Sequence, residues 1–239
     1  MTRNEGCVVS CKMRNVFLLV MLSCALFLSI PSAYAQASGD ISFGLGGVHD
    51  KATGNGLTID VNDNLDDCSP VDASAGCVGT SHLSGVMMGF SGNYMINRRF
   101  GAGADVTFQP SKQNYANIGT LTGTAGEEIQ SRLTFYDFNG VYQPVKTKLA
   151  AVQVLGGFGG ANVKFYDSVS SSGTLGSANS STQFSSANHF QLHAGVGVPI
   201  YFAHNFFVRP QFDIHYVHNF NQYGADLVTQ GMVWIGYKF

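Results

Sequence analysis

From about residue 40 to its end, this chain repeats one pattern in eight separate stretches: bulky apolar residues at every second position, with Gly, Ala or polar residues between them. A period of two places the two sets on opposite faces of a β-strand. The clearest case is 206–218, where Val208, Phe212, Ile214 and Tyr216 oppose Arg209, Gln211, Asp213 and His215. The last stretch sets Gly231, Val233, Ile235, Tyr237 and Phe239 against Gln230, Met232, Trp234, Gly236 and Lys238. The same reading gives strands over 40–48, 82–94, 100–109, 131–142, 149–165, 189–202 and 227–239. Within 131–142 the faces are mixed, because Leu133 and Phe135 fall beside Asp137 and Asn139 rather than with Tyr136, Phe138 and Tyr142.

The connections alternate between short and long. Tight turns are expected at 96–100, 143–148 and 203–205, and polar loops at about 51–81, 110–128, 167–188 and 219–226. Strands joined in this way run up and down, and an even number returns both ends to the short-turn side. The loop over 167–188 is rich in Ser and has the composition of a flexible linker.

One continuous apolar run exists, Val16 to Ile30, preceded by Arg3, Lys12 and Arg14 and followed by Pro31-Ser-Ala-Tyr-Ala35. That order predicts an export signal over 1–35, removed between Ala35 and Gln36, with translation starting at Met1 or Met13. Removal takes three of the 13 basic and one of the 15 acidic residues, which leaves a net charge of about −4 and no reason to expect nucleic acid. It also takes three of the five cysteines; Cys68 and Cys77 remain and are expected to close a short loop as a disulfide in an oxidising compartment.

Side-chain size decides which face points inward. Gly85, Gly89, Gly103, Gly195, Gly197 and Gly236 accompany the charged residues on the polar faces, whereas Phe90, Phe108, Phe138, Phe158 and Phe212 are too bulky to share the interior of an eight-stranded barrel. The bulky face therefore needs lipid outside. The predicted fold is all-β: an eight-stranded antiparallel up-and-down transmembrane β-barrel over 36–239. Each strand supplies the roughly 10 residues that cross a bilayer at a tilt of about 45°. Tyr94, Phe100, Tyr142, Tyr201, Phe206, Tyr237 and Phe239 are expected to form an aromatic girdle at the short-turn end.

The leader, eight alternating strands, short and long connections in turn, and the aromatic last residue together resemble the small outer-membrane β-barrel family typified by outer-membrane proteins A and X. The resemblance covers residues 38–239 and is one of pattern, with the terminal strand its nearest approach to a motif. It implies residence in a bacterial outer membrane among lipid and lipopolysaccharide, and handling by periplasmic chaperones. It also implies insertion by machinery that reads Val233, Ile235, Tyr237 and Phe239, and a monomeric state. It implies no cofactor, and the periplasmic domain of larger relatives is not expected.

Candidate sites follow from the inward faces and the loops. Asp105, Asp137, His193, Arg209, Asp213, His215 and Lys238 are expected to form a polar network in the lumen, since buried charges need partners. Asp213-Ile-His215 resembles the Asp-x-His pair of omptin proteases over three residues, without that family's second aspartate pair. A lipid A deacylase-like site would need Ser after His218 and a downstream Glu, where Asn219 and Phe220 stand. Asp60, Asn62, Asn64 and Asp66 space their oxygens like half a calcium loop, but Leu65 replaces the expected Gly and no Glu closes the set. The functional expectation is a non-catalytic, adhesin-like barrel that meets an extracellular ligand through its loops, with Tyr115, Phe184 and Tyr223 as aromatic contacts. A narrow pore or transporter of small hydrophobic molecules is the alternative, and a lipid-modifying enzyme or protease comes after it.

Overall fold

The computed structural model describes residues 38–50, 56–59, 65–68, 78–79, 82–119, 125–173, 176–203 and 205–239. After β1 (Ser38–Asp50), the short strands β2 (Gly56–Ile59), β3 (Leu65–Cys68) and β4 (Val78–Gly79) make a small sheet in the order β3-β2-β4. Next come β5 (Ser84–Met95), β6 (Phe100–Phe108), β7 (Gln113–Gly119), β8 (Ala125–Lys146) and β9 (Ala151–Gly173). The chain finishes with β10 (Gly176–Gly197), β11 (Ile200–Ala203), β12 (Phe206–Val217) and β13 (Leu227–Lys238). The export signal with its Ala35–Gln36 cleavage, the Cys68–Cys77 bond and the Asp60–Asp66 oxygen ladder fall on residues or side chains outside those described.

The larger sheet closes into a ring. β7 continues β6 along β8, and β11 continues β10 along β12, so ten strands make eight antiparallel walls. The break between β10 and β11 falls at Pro199, which has no N–H to give the ladder. The seam joins first strand to last, from Asp40 opposite Lys238 to Asp50 opposite Val228. Gly39 and Phe239 finish it with a reciprocal pair of backbone hydrogen bonds of 3.1 and 2.9 Å. No open edge is left at the seam, which is the condition for a sheet in hydrocarbon.

Polarity is inverted relative to a water-soluble barrel. Phe138 is 62% exposed and Phe212 55%, whereas Arg209, Asp213 and His215 are exposed by 0%, 2% and 1%. Phe43, Phe90, Phe158, Phe190, Val233 and Ile235 join the outer band, which is far larger than any apolar patch a soluble protein leaves bare. Lipid is the surrounding that this face requires.

The inversion ends partway along the strands, on the long-loop side. In β8, Tyr136, Phe138 and Tyr142 face outward, but Ile129, Leu133 and Phe135 are buried on the inner face while Glu128, Gln130 and Arg132 point out. β9 changes in the same place: Phe158 is outside, and Val163 and Phe165 are inside. Below the change the barrel is dressed for lipid, and above it for water. This accounts for the mixed faces of 131–142, since one strand passes through two solvents. The outward apolar stretch from Tyr136 to Val145 has the length of about 10 residues that a tilted spanning strand needs.

Four sequence expectations need correction. The stretch 110–128 carries β7 and the start of β8, and 167–188 is the paired end of β9 and β10, in register from Asp167 opposite Thr182 to Gly173 opposite Gly176. Ladder hydrogen bonds form there without apolar alternation because water, not lipid, lies outside. The stretch 51–81 holds the β3-β2-β4 sheet instead of being loop throughout. Finally, Tyr201 turns to the lumen side, with its ring 6.0 Å from that of Phe207, while Tyr94, Phe100, Tyr142, Phe206, Tyr237 and Phe239 face outward.

Candidate functional site: the barrel lumen

Arg209 follows Phe207 on the inward face of β12 and is fully buried. Its guanidinium donates to Ser91 Oγ at 2.9 Å and Gln153 Oε1 at 3.2 Å, and lies 5.5 Å from the Trp234 ring. No carboxylate among the described residues forms an ion pair with it. Neutral acceptors and an aromatic face therefore take the place of the expected counter-ion.

One turn of the ladder further out, a chain of side chains crosses the lumen. Asn139 Nδ2 donates to Asp105 Oδ2 at 2.7 Å, which turns its Oδ1 toward His193 Nδ1 at 2.8 Å. His193 Nε2 lies 2.9 Å from Asp213 Oδ1, and Gln211 Nε2 donates to both oxygens of the same carboxylate. Both ring nitrogens of His193 thus face acceptors, and the imidazolium form alone donates to both. The three rings Phe135, His215 and His193 stack, with centroid spacings of 4.3 and 4.7 Å. His215 meets Gln230 at 3.2 Å and Asp137 at 3.9 Å, and Asp137 accepts from Gln191 at 2.6 Å.

Space for these side chains comes from small neighbours. A Cβ on Gly195 would strike Asp213 Oδ1, and one on Gly44 would stand 2.5 Å from the Trp234 ring. Toward the long loops the filling turns apolar: Met87, Tyr115, Leu133, Phe165, Phe220 and Trp234 belong to one buried cluster. Tyr115 and Tyr223 pack edge to face, with their hydroxyls donating to the Gln222 carbonyl and to Ser131 Oγ. Burial pushes the Tyr223 hydroxyl above the ordinary tyrosine range, so it remains a donor. Tyr115 and Tyr223 are therefore part of a plug, not surface contacts, and Phe184 packs on the same cluster, turned there by a bulge between Gln183 and Ser185.

Six of the seven lumen residues picked from the sequence, Asp105, Asp137, His193, Arg209, Asp213 and His215, come together in this buried layer. Lys238 does not. It sits half-exposed at the short-turn mouth beside Tyr201, Lys146, Lys148 and Asn205. Asp213 and His215 share a face but bond to different partners beneath the apolar plug, so the Asp-x-His pair does not present a shared water to the outside. The candidate set drawn from the sequence left out Gln153, Gln191 and the mouth lysine Lys146, although period-two alternation already places both glutamines on the inward faces.

No curated protein sequence matches the chain. Among solved structures it is similar to Ail, the attachment invasion locus protein of Yersinia pestis, at 14% identity over 84% of this chain and 99% of that one, with a TM-score of 0.43. Similar too are the outer membrane protein OprG from Pseudomonas aeruginosa (14% identity, 85% and 96% of the two chains, TM-score 0.46) and the outer membrane protease OmpT from Escherichia coli (11%, 88% and 99%, TM-score 0.36). Residues 20–239 match the family described as the outer membrane protein beta-barrel domain, and with lipid-facing bulk outside and a polar layer within, the chain belongs to that family.

Proposed function

We propose that this outer membrane barrel is a non-catalytic, adhesin-like surface protein whose contact surface lies beyond the membrane and not in the lumen. The observation that carries this reading is the extension of β8, β9 and β10 some 11 to 14 residues past the change of polarity, roughly 35 to 45 Å of strand. Their outer face presents Gln130, Arg132, Asn162, Lys164, Tyr166 and Ser168, a set that mixes both charge and hydrogen-bonding character with an aromatic ring. Strands hold such groups more rigidly than a loop does, which lowers the entropy lost on binding. The packed lumen supports the same reading, because among the described residues buried side chains fill the interior.

The test replaces residues 168–181 by Asn-Gly, which closes β9 onto β10 just beyond the Asp167–Thr182 pair. Cells carrying the intact or shortened barrel are compared for binding to an immobilised glycoprotein panel, and the purified barrels for gel mobility before and after boiling. The expected result is an unchanged mobility shift with binding lost. Unchanged binding together with discrete single-channel conductance would favour the pore reading. Altered lipopolysaccharide masses in expressing cells would favour an enzyme.

A further inference from the structure

Charge is divided unevenly along the barrel axis. Of the 10 basic residues beyond the leader, Arg98, Arg99, Lys146, Lys148 and Lys238 lie at the short-turn end. Three of them, Lys146, Lys148 and Lys238, line one cavity of about 300 Å³ at the lumen mouth, with Thr147, Tyr201, Asn205 and Phe239 completing its wall. Lys238 Nζ stands 5.7 Å from the centre of the Tyr201 ring. Among the described residues none of these ammoniums makes an ion pair. The carboxylate deeper in, Asp40, accepts instead from Asn93 Nδ2 at 2.9 Å.

Burial, and then the neighbouring Lys238 ammonium, hold Lys146 below the ordinary lysine range. Asp40 is one carboxylate within electrostatic reach of Lys146 and Lys238, so three ammoniums leave an excess of like charge at the cavity, and an anion seated between them removes that repulsion. We infer that the short-turn mouth is a binding site for a phosphate group, clasped by Lys146, Lys148 and Lys238 with hydrogen bonds from Tyr201 and Asn205. Phosphate suits the site by charge and by its acceptors: a free phosphate carries about −1.5 to −2 on three oxygens or more, and the phosphodiester of a phospholipid a single negative charge on two, each offered to compact ammonium donors. The cavity is small, so it accepts a free phosphate or the headgroup of a phospholipid from the adjoining leaflet, and leaves the rest of a lipid outside.

Both sources are separated by one experiment on the refolded mature barrel in nanodiscs. Inorganic phosphate is titrated by calorimetry into discs of phosphatidylcholine alone and into discs containing phosphatidylglycerol, and the lipids retained by the detergent-extracted barrel are weighed by native mass spectrometry. The Lys146→Gln/Lys238→Gln barrel is run alongside, with its fold checked by heat-modifiability and circular dichroism. Saturable binding in phosphatidylcholine discs, weakened about tenfold or more in the variant, is the expected result. If phosphatidylglycerol abolishes that heat and is retained by the wild type over the variant, the headgroup is the ligand; if the heat is unchanged, the ligand is soluble phosphate. Absence of both signals in the wild type, or equal signals in a folded variant, overturns the inference.

Discussion

The residue with the sharpest structural demand is His193, because its two nitrogens face Asn139 Oδ1 and Asp213 Oδ1 and neither partner can donate in return. Removing one half of such a pair strands the other inside the barrel. Asp213→Asn is expected to lower unfolding free energy by about 3 kcal/mol, measured by denaturant unfolding in detergent micelles. His193→Leu combined with Asp213→Leu should lose less than the two single changes added together, since no charge is then left unpaired. Equal losses would mean that the pair carries no coupling. At this scale the sequence was informative about which residues face inward and silent about their partners. Period two fixes a side, but Asn139 meets His193 only because both stand opposite Gly157 of the strand between them, a register that alternation alone does not specify.

At the scale of elements, the eight spanning stretches could be read within a few residues because lipid imposes a strict alternation on them. The outer ends of β9 and β10 could not, because water accepts Ser, Asn and Gly on an exposed strand face and leaves no periodic signature. Their antiparallel register nonetheless runs without a break from Gly176–Gly173 to Gln183–Tyr166. Amide hydrogen exchange distinguishes the two descriptions: residues 163–170 and 179–187 should exchange at least about 100-fold more slowly than unstructured peptide. Exchange at the free-peptide rate would return this stretch to the flexible loop that its composition suggests. The misplacement of Leu133 and Phe135 has the same origin, as both obey the rule for a strand in water.

For the whole molecule, closure is the decisive event, and the seam is where it is completed. Phe239 exchanges two backbone hydrogen bonds with Gly39 and exposes 68% of its surface on the outer side. Deleting Phe239 is expected to lower the amount of assembled barrel in the outer membrane of expressing cells, while detergent refolding of the purified chain still gives a heat-modifiable band. Unchanged assembly in cells would mean that the last residue is not read during insertion. Trp234 supplies the signal for the refolding arm: it is the single tryptophan, 1% exposed and directed into the lumen, so its emission follows packing of the interior.

The abrupt exchange of faces at Tyr136 acts as a depth gauge. Four residues above it, Arg132 stands directly opposite Lys164 on the outer surface, a like-charged pair that a sheet ordinarily avoids. Sinking the barrel by those four residues would drag both cations into acyl chains, and raising it by the same distance would lift phenyl rings into water. The molecule is therefore tuned to one bilayer thickness, and a thicker membrane must thin around it or exclude it.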